Sequence, residues 1–251
     1  MKSVKEIHDY YKQSFGKKYT RYWSLANSIL EQCNITKDTR VLDYGCGTGI
    51  LSHYLFMRYG CRIDAVDISE EVLGARRAWK NDAIAWISMD EYSFPEKEYD
   101  YIFSSQVIEH VHNVGMYLSR ISKMLKDGGR LVIGLPNVMT LNYLWRQIRV
   151  TEERMRGHSK NILKNYDKGM HHINAWDTYH FVLLLASCGF ELEHFFPTEG
   201  VPRLMIGFYR YIPWLRPGYG DQKNKGIFGK LCYTQHFIFQ KNREIEISVY
   251  D

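Results

Sequence analysis

The feature that most constrains the fold is an apolar segment that runs directly into a glycine-rich turn and then into a helical pattern. Residues 41–49 read VLDYGCGTG, with glycine at positions 45, 47 and 49. Glycine adopts positive φ without strain and lets a ligand approach the backbone closely. A strand, turn and helix of this kind begin the ligand-binding unit of parallel α/β folds. Because several nucleotide-binding folds share such a turn, it does not identify the ligand by itself.

Segments after this turn alternate between apolar, strand-like runs and helical patterns. The runs are too apolar to have one face in water, which predicts an α/β fold with helices on both faces of a mostly parallel sheet. Seven strands are predicted: Arg40–Asp43, Arg62–Val66, Ile84–Met89, Tyr99–Ser104, Arg130–Leu135, Phe190–Phe196 and Tyr233–Gln240. The predicted helices between them are Ile50–Tyr59, Ser69–Asn81, Val114–Leu125 and Trp176–Ser187.

The chain has 251 residues, enough for one domain with insertions. We expect a single domain over residues 1–251. Its parts are an N-terminal helical cover (1–36), a cofactor-binding core (37–136), a lid insertion (137–175) and a C-terminal part (176–251) with a second insertion at 197–231. The two irregular insertions are candidates to cover a pocket.

The distribution of charge indicates which kinds of binding partner to expect. The net charge of +5 comes from bases interspersed with acids, not from the basic stripe of nucleic-acid-binding proteins, so we expect no nucleic-acid partner. A looser basic and aromatic cluster at residues 203–230 is a candidate contact for an anionic membrane surface or a phosphorylated substrate; a solvated basic rim is the alternative.

The five cysteines form no CxxC pair, and neither a signal peptide nor a bilayer-spanning run is present, which indicates a cytoplasmic protein.

Three acidic residues stand at or near the ends of successive predicted strands: Asp43, Asp67 and Asp90. The carboxyl ends of parallel strands share one edge of the sheet, where ligands bind. Asp67 can accept hydrogen bonds from ribose hydroxyls, with a helix-capping role as the alternative, and Asp90 can accept from an adenine amino group. A pyrophosphate on the glycine turn would be repelled by Asp43, whereas a cationic ligand would not. Ile50 also stands where the dinucleotide fingerprint requires a third small residue.

The segment that begins at Tyr99, added to the motifs above, shows which protein family the chain resembles. It reads YDYIFSSQVIEHV and is followed by LKDGGRLVIGLPN. With VLDYGCGTG, AVDIS and the Met89-Asp90 step, these motifs resemble the class I S-adenosylmethionine-dependent methyltransferases over about Arg40 to Asn137. The later segment TYHFVLLLASCGFELEHF fits the same family. The resemblance implies a Rossmann-like fold, S-adenosylmethionine as the cofactor and S-adenosylhomocysteine as its product.

The resemblance also implies roles for the matching residues. The methionine part of the cofactor would lie along the glycine turn, the ribose on Asp67, and the adenine on Asp90 and its neighbours. The residues expected to bind the cofactor are Asp43, Gly45, Cys46, Gly47, Gly49, Asp67, Ile68, Met89, Asp90, Ser105 and Gln106.

The VIEHV segment most resembles the branch that includes the ubiquinone-pathway O-methyltransferases. In some of these, an ExxEH arrangement is linked to a divalent metal. Here Gln106 replaces the first acid and gives QxxEH. One carboxylate fewer weakens a site for Mg²⁺, which prefers anionic oxygen ligands. We therefore expect no metal.

Methyl transfer from a sulfonium is an in-line displacement, for which the protein must align the reactants and exclude water. A hydroxyl acceptor must also lose a proton. His110 is the candidate base, with Glu109 beside it, because a neutral imidazole accepts protons near pH 7. His172, next to His171, is a candidate to reach the pocket from the lid. The alternatives are that Glu109 and His110 stabilise the turn after the fourth strand and that the lid histidines pack.

The sequence thus predicts a methyltransferase that acts on a small or lipid-like molecule, at oxygen. One alternative is a non-catalytic scaffold that binds S-adenosylmethionine or S-adenosylhomocysteine. Another is a nicotinamide-dependent oxidoreductase, against which the GxGxG spacing and Asp43 argue. The segment SSQV stands where amino-methylating nucleic-acid enzymes often carry an Asn-Pro-Pro-Tyr-type tetrapeptide, which argues against a nucleic-acid acceptor.

Overall fold

The computed structural model describes residues 28–68, 74, 82–140, 143, 147–164, 172–198 and 234–245. Most of the predicted N-terminal cover, the helix predicted over Ser69–Asn81 except Gly74, His171, and the basic cluster at 203–230 lie outside the described residues. No helix in the described ranges is long and apolar enough to cross a membrane.

A single sheet organises the chain. Its strands are β1 (Arg40–Tyr44), β2 (Arg62–Asp67), β3 (Ile84–Ser88), β4 (Tyr99–Ser105), β5 (Leu125–Pro136), β6 (Phe190–Thr198) and β7 (Thr234–Lys241). Their order across the sheet is β3-β2-β1-β4-β5-β7-β6. Strands β1 to β5 run parallel, and β7 is antiparallel to both β5 and β6. The prediction of a mostly parallel, seven-stranded α/β sheet is confirmed.

Helices pack between and beside the strands. Those with described bounds are α1 (Ile50–Tyr59), α2 (Val114–Met124), α3 (Glu152–Lys164) and α4 (Thr178–Ser187). The bounds of α1 are those predicted, and the helix ends at Gly60, whose φ of 68° provides a left-handed C-cap. Helix α4 begins two residues later than predicted because the Asp177 side chain caps it, accepting from the amides of Tyr179 and His180.

Strand β5 begins earlier than the sequence predicted. Leu125 already pairs with Tyr99 of β4, and the register then shifts before Tyr101 pairs with Arg130. The strand was predicted to begin at Arg130, but the glycine pair at 128–129 already lies inside β5, as an irregularity. The difference concerns only the amino end of β5, because its carboxyl end lies within one residue of the predicted position.

Apolar side chains cover both faces of the sheet. On one face, Val41 of β1 packs in a cluster with Leu55 of α1. On the other face, Leu42 of β1 packs in a cluster with Leu118 of α2 and Phe181 of α4. All five side chains are buried, which confirms helices on both faces. The carboxyl ends of β1 to β5 therefore form the edge at which polar side chains collect.

Candidate active site

The glycine turn joins β1 to α1 at the carboxyl edge of the sheet. Gly45, Gly47 and Gly49 have φ values of 88°, 48° and 74°, a region in which other residues are strained. The amides of Gly45 and Cys46 both donate to the Val66 carbonyl of β2, at 2.8 and 3.0 Å. The backbone of the turn is therefore fixed to the neighbouring strand, and the glycines are required by its geometry.

The same turn contacts the segment after β4. A methyl group added to Gly45 would overlap a methyl group of Val107. Val107 follows Gln106, which has a φ of 59° and whose amide donates to the Gly134 carbonyl at 2.7 Å. A non-glycine residue in this region is strained, and such strain clusters at functional sites. The glycine turn and the QVIEH segment thus form one continuous surface.

Asp67 closes the glycine turn from the end of β2. Its Oδ2 atom accepts a hydrogen bond from the Gly47 amide at 2.7 Å. This backbone amide is one of the donors that a phosphate group would otherwise take at such a turn. The helix predicted to follow Asp67, for which a capping role is the alternative, lies outside the described residues.

Asp43 lies beneath the turn on β1 and is only 3% exposed. It accepts a 2.6 Å hydrogen bond from the Ser52 hydroxyl of α1. Burial, together with the charge of nearby Asp67, raises the pKa of Asp43 to about 6, although the hydrogen bond from Ser52 partly opposes this rise. The sequence analysis did not identify Ser52, although a serine on the buried side of a mostly apolar helix is the signal that marks such a partner.

The residues expected at the adenine lie around the ends of β2 and β3. Met89 and Asp90 belong to one 3₁₀ turn, Met89–Glu91, directly after β3. The Tyr44 hydroxyl lies 3.9 Å from the Met89 sulfur and orients that side chain. Asp90 is exposed, and Ile68 is 72% exposed beside Asp67. An exposed isoleucine at this edge offers apolar surface that a planar ring can cover.

Ser105 ends β4, and a histidine that the sequence analysis missed lies near it. A side-chain carbon added to Gly134 of β5 would overlap the ring of His236 and lie 3.1 Å from the Ser105 hydroxyl. Burial lowers the pKa of His236 to about 4, so this ring is neutral near pH 7. Only the antiparallel pairing of β5 with β7, which sets Gly134 opposite His236, brings it here.

A second polar group lies just beyond β4 and contains all three predicted catalytic residues. Glu109 and His110 lie in the 3₁₀ turn Ile108–His110. The Nε2 atom of His110 is 4.0 Å from Oε1 of Glu109, and the rings of His110 and His172 meet edge to face with centroids 4.7 Å apart. Glu109 is 1% exposed, and neither of its carboxylate oxygens has a hydrogen-bond partner in the part of the chain that the structure describes.

Burial shifts the pKa values of Glu109 and His172 in opposite directions, each towards the neutral form. Burial raises the pKa of Glu109, an effect that His110 partly opposes. Burial lowers the pKa of His172, and the charge of His110 lowers it further. A cation or an acceptor that donates hydrogen bonds would compensate for the buried carboxylate.

Hydrogen bonds hold the lid segment against the 3₁₀ turn. The amides of Ile173 and Asn174 donate to the Glu109 carbonyl at 2.9 and 3.0 Å. The side-chain amide of Asn174 donates to the Val111 carbonyl. These bonds bring His172 next to His110, although the two residues are far apart in the sequence.

Comparison with known proteins gives matches over most of the chain. Residues 16–194 match a family described as methyltransferase domain. A biotin biosynthesis bifunctional protein, BioHC, from Cellvibrio japonicus is 32% identical over 149 residues, which are 54% of this chain and 30% of that protein. The ubiquinone biosynthesis O-methyltransferase of Bradyrhizobium diazoefficiens is 30% identical over 144 residues, 55% of this chain and 53% of that protein. The chain thus spans about half the length, or less, of these curated relatives.

Solved structures share the fold across nearly the full chain. An S-adenosylmethionine-dependent methyltransferase from Mesorhizobium loti has a TM-score of 0.58 and 15% sequence identity, covering 89% of this chain and 99% of that one. At this identity the likeness concerns the fold alone, and it agrees with the Rossmann-like sheet described above.

Proposed function

The chain belongs to the methyltransferase domain family, and we propose on this premise that it transfers the methyl group of S-adenosylmethionine to an oxygen atom of a small or lipid-like molecule. One observation carries the choice of ligand. The Gly47 amide is hydrogen-bonded to the Asp67 carboxylate, and the Asp43 carboxyl is buried under the same turn. Acidic groups at this position disfavour a pyrophosphate and favour the sulfonium and ammonium of S-adenosylmethionine.

The proposed placement of the cofactor follows the edge of the sheet. The methionine part lies along the glycine turn, with its ammonium near Asp43. The ribose hydroxyls donate to Asp67, and the adenine lies between Met89 and Ile68 with Asp90 at its amino group. Ser105 and Gln106 approach the methionine end through their backbone. Their position at the end of β4, next to the glycine turn, supports this placement.

The proposed reaction requires one proton to leave the acceptor. The acceptor oxygen attacks the methyl carbon while the carbon–sulfur bond breaks and its electron pair stays on sulfur. In the metal-free protein, Nε2 of His110 is the proposed proton acceptor, with Glu109 stabilising the resulting imidazolium from 4.0 Å. The contact between Val107 and Gly45 supports this role, because it brings the turn that carries His110 next to the donor site.

Exposed apolar side chains of the lid segment support a lipid-like acceptor. Met139 and Ile173 are 46% and 43% exposed. They lie on two adjoining segments, which are joined where Asn137 pairs with Trp176. Ile173 also donates its amide to the Glu109 carbonyl, and apolar side chains combined with a few polar groups are typical of a pocket for a ligand with both polar and apolar parts. The match to a protein named as an O-methyltransferase supports oxygen as the acceptor atom.

A binding comparison tests the ligand assignment. Calorimetry with S-adenosylmethionine, S-adenosylhomocysteine and NAD should show binding of the first two and none of NAD. Binding of NAD without S-adenosylmethionine would instead establish the oxidoreductase alternative.

A turnover assay tests the chemistry. Release of S-adenosylhomocysteine is measured over a panel of hydroxylated aromatic and lipid-like acceptors, and at least one should be methylated. The variant His110→Ala should lower kcat while leaving cofactor affinity unchanged. The control is His158→Ala, which replaces an exposed histidine of α3 and should change neither quantity. Equal losses of both quantities in His110→Ala would indicate a structural role. Tight cofactor binding with no methylation over the whole panel would favour the scaffold alternative.

A further inference from the structure

We infer that Glu109, His110 and His172 form a binding site for a divalent transition-metal ion, such as Zn²⁺ or Co²⁺, that discriminates against Mg²⁺. One ligand atom from each residue lies within 4.8 Å of the other two. The inference rests on the proposed function, because it assigns activation of the acceptor to this ion. It also revises the prediction of no metal. That prediction rested on the missing carboxylate at Gln106, and the sequence did not show that His172 lies beside the turn that carries Glu109 and His110.

The buried carboxylate of Glu109 is the strongest indication of a ligand. Across the described residues, the buried side-chain polar atoms without a hydrogen-bond partner belong to Trp86, Glu109 and Ser122, and Glu109 contributes both of its oxygens. An ionised carboxylate buried without a partner costs several kcal/mol. A bound cation would offset this cost, because it places a full positive charge against the carboxylate oxygens.

The arrangement of the three side chains is that of an open site. His110 is partly buried, His172 is exposed, and Nε2 of His110 lies 4.0 Å from the Glu109 carboxylate. Bonds of about 2.0–2.2 Å to a central ion would draw these atoms closer together. The exposed side of the group leaves coordination positions for water or for an acceptor oxygen, as catalytic metal sites do.

The donor set decides the class of ion. Two imidazole nitrogens and one carboxylate oxygen suit borderline transition-metal ions, whereas Mg²⁺ prefers an octahedral set of oxygen ligands. Gln106, which stands where a second acid would provide another anionic oxygen, has an amide side chain. The replacement of an acid by Gln106, together with the addition of His172, therefore shifts the site from Mg²⁺ towards ions such as Zn²⁺.

The hydrogen bonds of the lid segment connect ion binding to the position of the lid. The Glu109 carbonyl accepts from the amides of Ile173 and Asn174, so the residue that provides the carboxylate also holds the segment that provides His172. Occupation of the site would link the turn after β4 to the lid by ligand bonds as well as hydrogen bonds. Hydrogen-bonded neighbours of this kind orient metal ligands and strengthen binding.

The ion would change how the acceptor is activated. A hydroxyl group bound to a divalent cation loses its proton at a lower pH than the free hydroxyl. The proton then leaves to solvent, the acceptor oxygen attacks the methyl carbon, and the sulfur leaves with the electron pair. His110 would serve as a ligand in this form of the protein and not as the base.

The experiment measures metal binding directly. Chelator-treated full chain is titrated with Co²⁺ and followed by visible absorption, and Zn²⁺ and Mg²⁺ binding is measured by equilibrium dialysis with elemental analysis. We expect one Co²⁺ or Zn²⁺ per chain, with ligand-field bands for Co²⁺ that millimolar Mg²⁺ does not displace. Absence of Co²⁺ and Zn²⁺ binding, or displacement by Mg²⁺, would overturn the inference.

Variants show whether these three residues hold the ion. Glu109→Gln and His172→Ala should each weaken Co²⁺ binding by at least about tenfold, the loss typical of altered metal shells. His158→Ala on α3 is the matched control and should bind Co²⁺ like the unaltered chain. His172 is exposed, so its variant should fold even if Glu109→Gln does not. Unchanged Co²⁺ binding in His172→Ala would overturn the assignment.

Cofactor binding separates this inference from the proposed function. Calorimetry with S-adenosylhomocysteine is run on the metal-free chain and on both variants, and its affinity should be unchanged. If S-adenosylhomocysteine binds but Co²⁺ and Zn²⁺ do not, the metal site is wrong and the proposed function stands. If S-adenosylhomocysteine does not bind even to the unaltered chain, the proposed function itself fails.

Discussion

The Gly47 amide donates a 2.7 Å hydrogen bond to Oδ2 of Asp67, which joins the glycine turn after β1 to the end of β2. The bond fixes the orientation of the carboxylate before any ligand arrives. A carboxylate held in this way loses little side-chain entropy when it accepts hydrogen bonds from a ribose. Asp67 therefore both stabilises the turn and prepares one part of the proposed cofactor site.

Replacement of Asp67 by alanine should weaken S-adenosylhomocysteine binding. The variant loses the bonds to the ribose and the support of Gly47, which together are worth about 1–3 kcal/mol. Calorimetry on Asp67→Ala is compared with Asp82→Ala, an exposed aspartate just before β3 that should bind as the unaltered chain does. Equal affinity in Asp67→Ala and Asp82→Ala would remove Asp67 from the cofactor site.

Asp43 should make the stability of the cofactor-free protein depend on pH. Burial raises its pKa from 3.8 to about 6, so the folded chain binds this proton more tightly than the unfolded chain does. The contribution is fully present below pH 4 and is lost as the pH rises to about 6. The free energy of unfolding should therefore decrease over this window by at most about 3 kcal/mol, at about 1.36 kcal/mol for each pKa unit.

The variant Asp43→Asn tests this assignment, because asparagine can accept the Ser52 bond but carries no charge. Near pH 7.5 and without cofactor, it should be more stable than the unaltered chain by about 1–3 kcal/mol in urea denaturation. At pH 4 the two should be nearly equal, and affinity for S-adenosylmethionine should be lower in the variant. A stability difference that is the same at both pH values would contradict the shifted pKa.

The close contact between Gly45 and Val107 should behave as a coupled pair. Gly45→Ala adds a methyl group that overlaps Val107 and places alanine at a φ of 88°, so it should destabilise the fold and weaken cofactor binding. Val107→Ala in the same chain removes the overlap and should restore part of the stability, leaving about 1 kcal/mol of backbone strain. Thermal unfolding of the single and double variants measures the coupling, and strictly additive effects would mean that the two residues do not meet.

A buried polar network at the opposite end of the sheet should matter for stability rather than for the ligand. Asp64 of β2 accepts from the Tyr99 hydroxyl at 2.6 Å and from Arg40 at 2.9 Å, and Tyr92 donates to Tyr99 at 2.8 Å. Asp64→Ala leaves the Tyr99 hydroxyl and the Nη2 atom of Arg40 without this acceptor, and we expect a loss of about 2–3 kcal/mol in urea denaturation.

The control for Asp64 is an ion pair on the surface. Glu152 pairs with Arg156 on α3, and both side chains are mostly exposed. Glu152→Ala should leave the free energy of unfolding almost unchanged, because solvent screens such pairs. S-adenosylhomocysteine should bind to both variants under folding conditions. Comparable destabilisation of the two variants would contradict the buried network.

The buried strands and the bounds of α1 were predictable because they depend on residues that are neighbours in the sequence. Apolar runs specify buried strands, and the bounds of α1 follow from Gly49 before it and Gly60 after it, both of which adopt positive φ. The acids at 43, 67 and 90 could be placed on one edge because parallel strands align their carboxyl ends. The early start of β5 was missed because a glycine pair in a strand has the same composition as a turn.

The strand–turn–helix unit, the parallel sheet and the family follow from the amino-acid sequence, because periodicity and turn chemistry depend on neighbouring residues. The folded structure is needed to see which distant side chains meet. It places His172 beside His110 through hydrogen bonds from Ile173 and Asn174 to Glu109, and it sets His236 over Gly134 through the β5–β7 pairing. Such contacts depend on strand order and loop path, which no local pattern specifies.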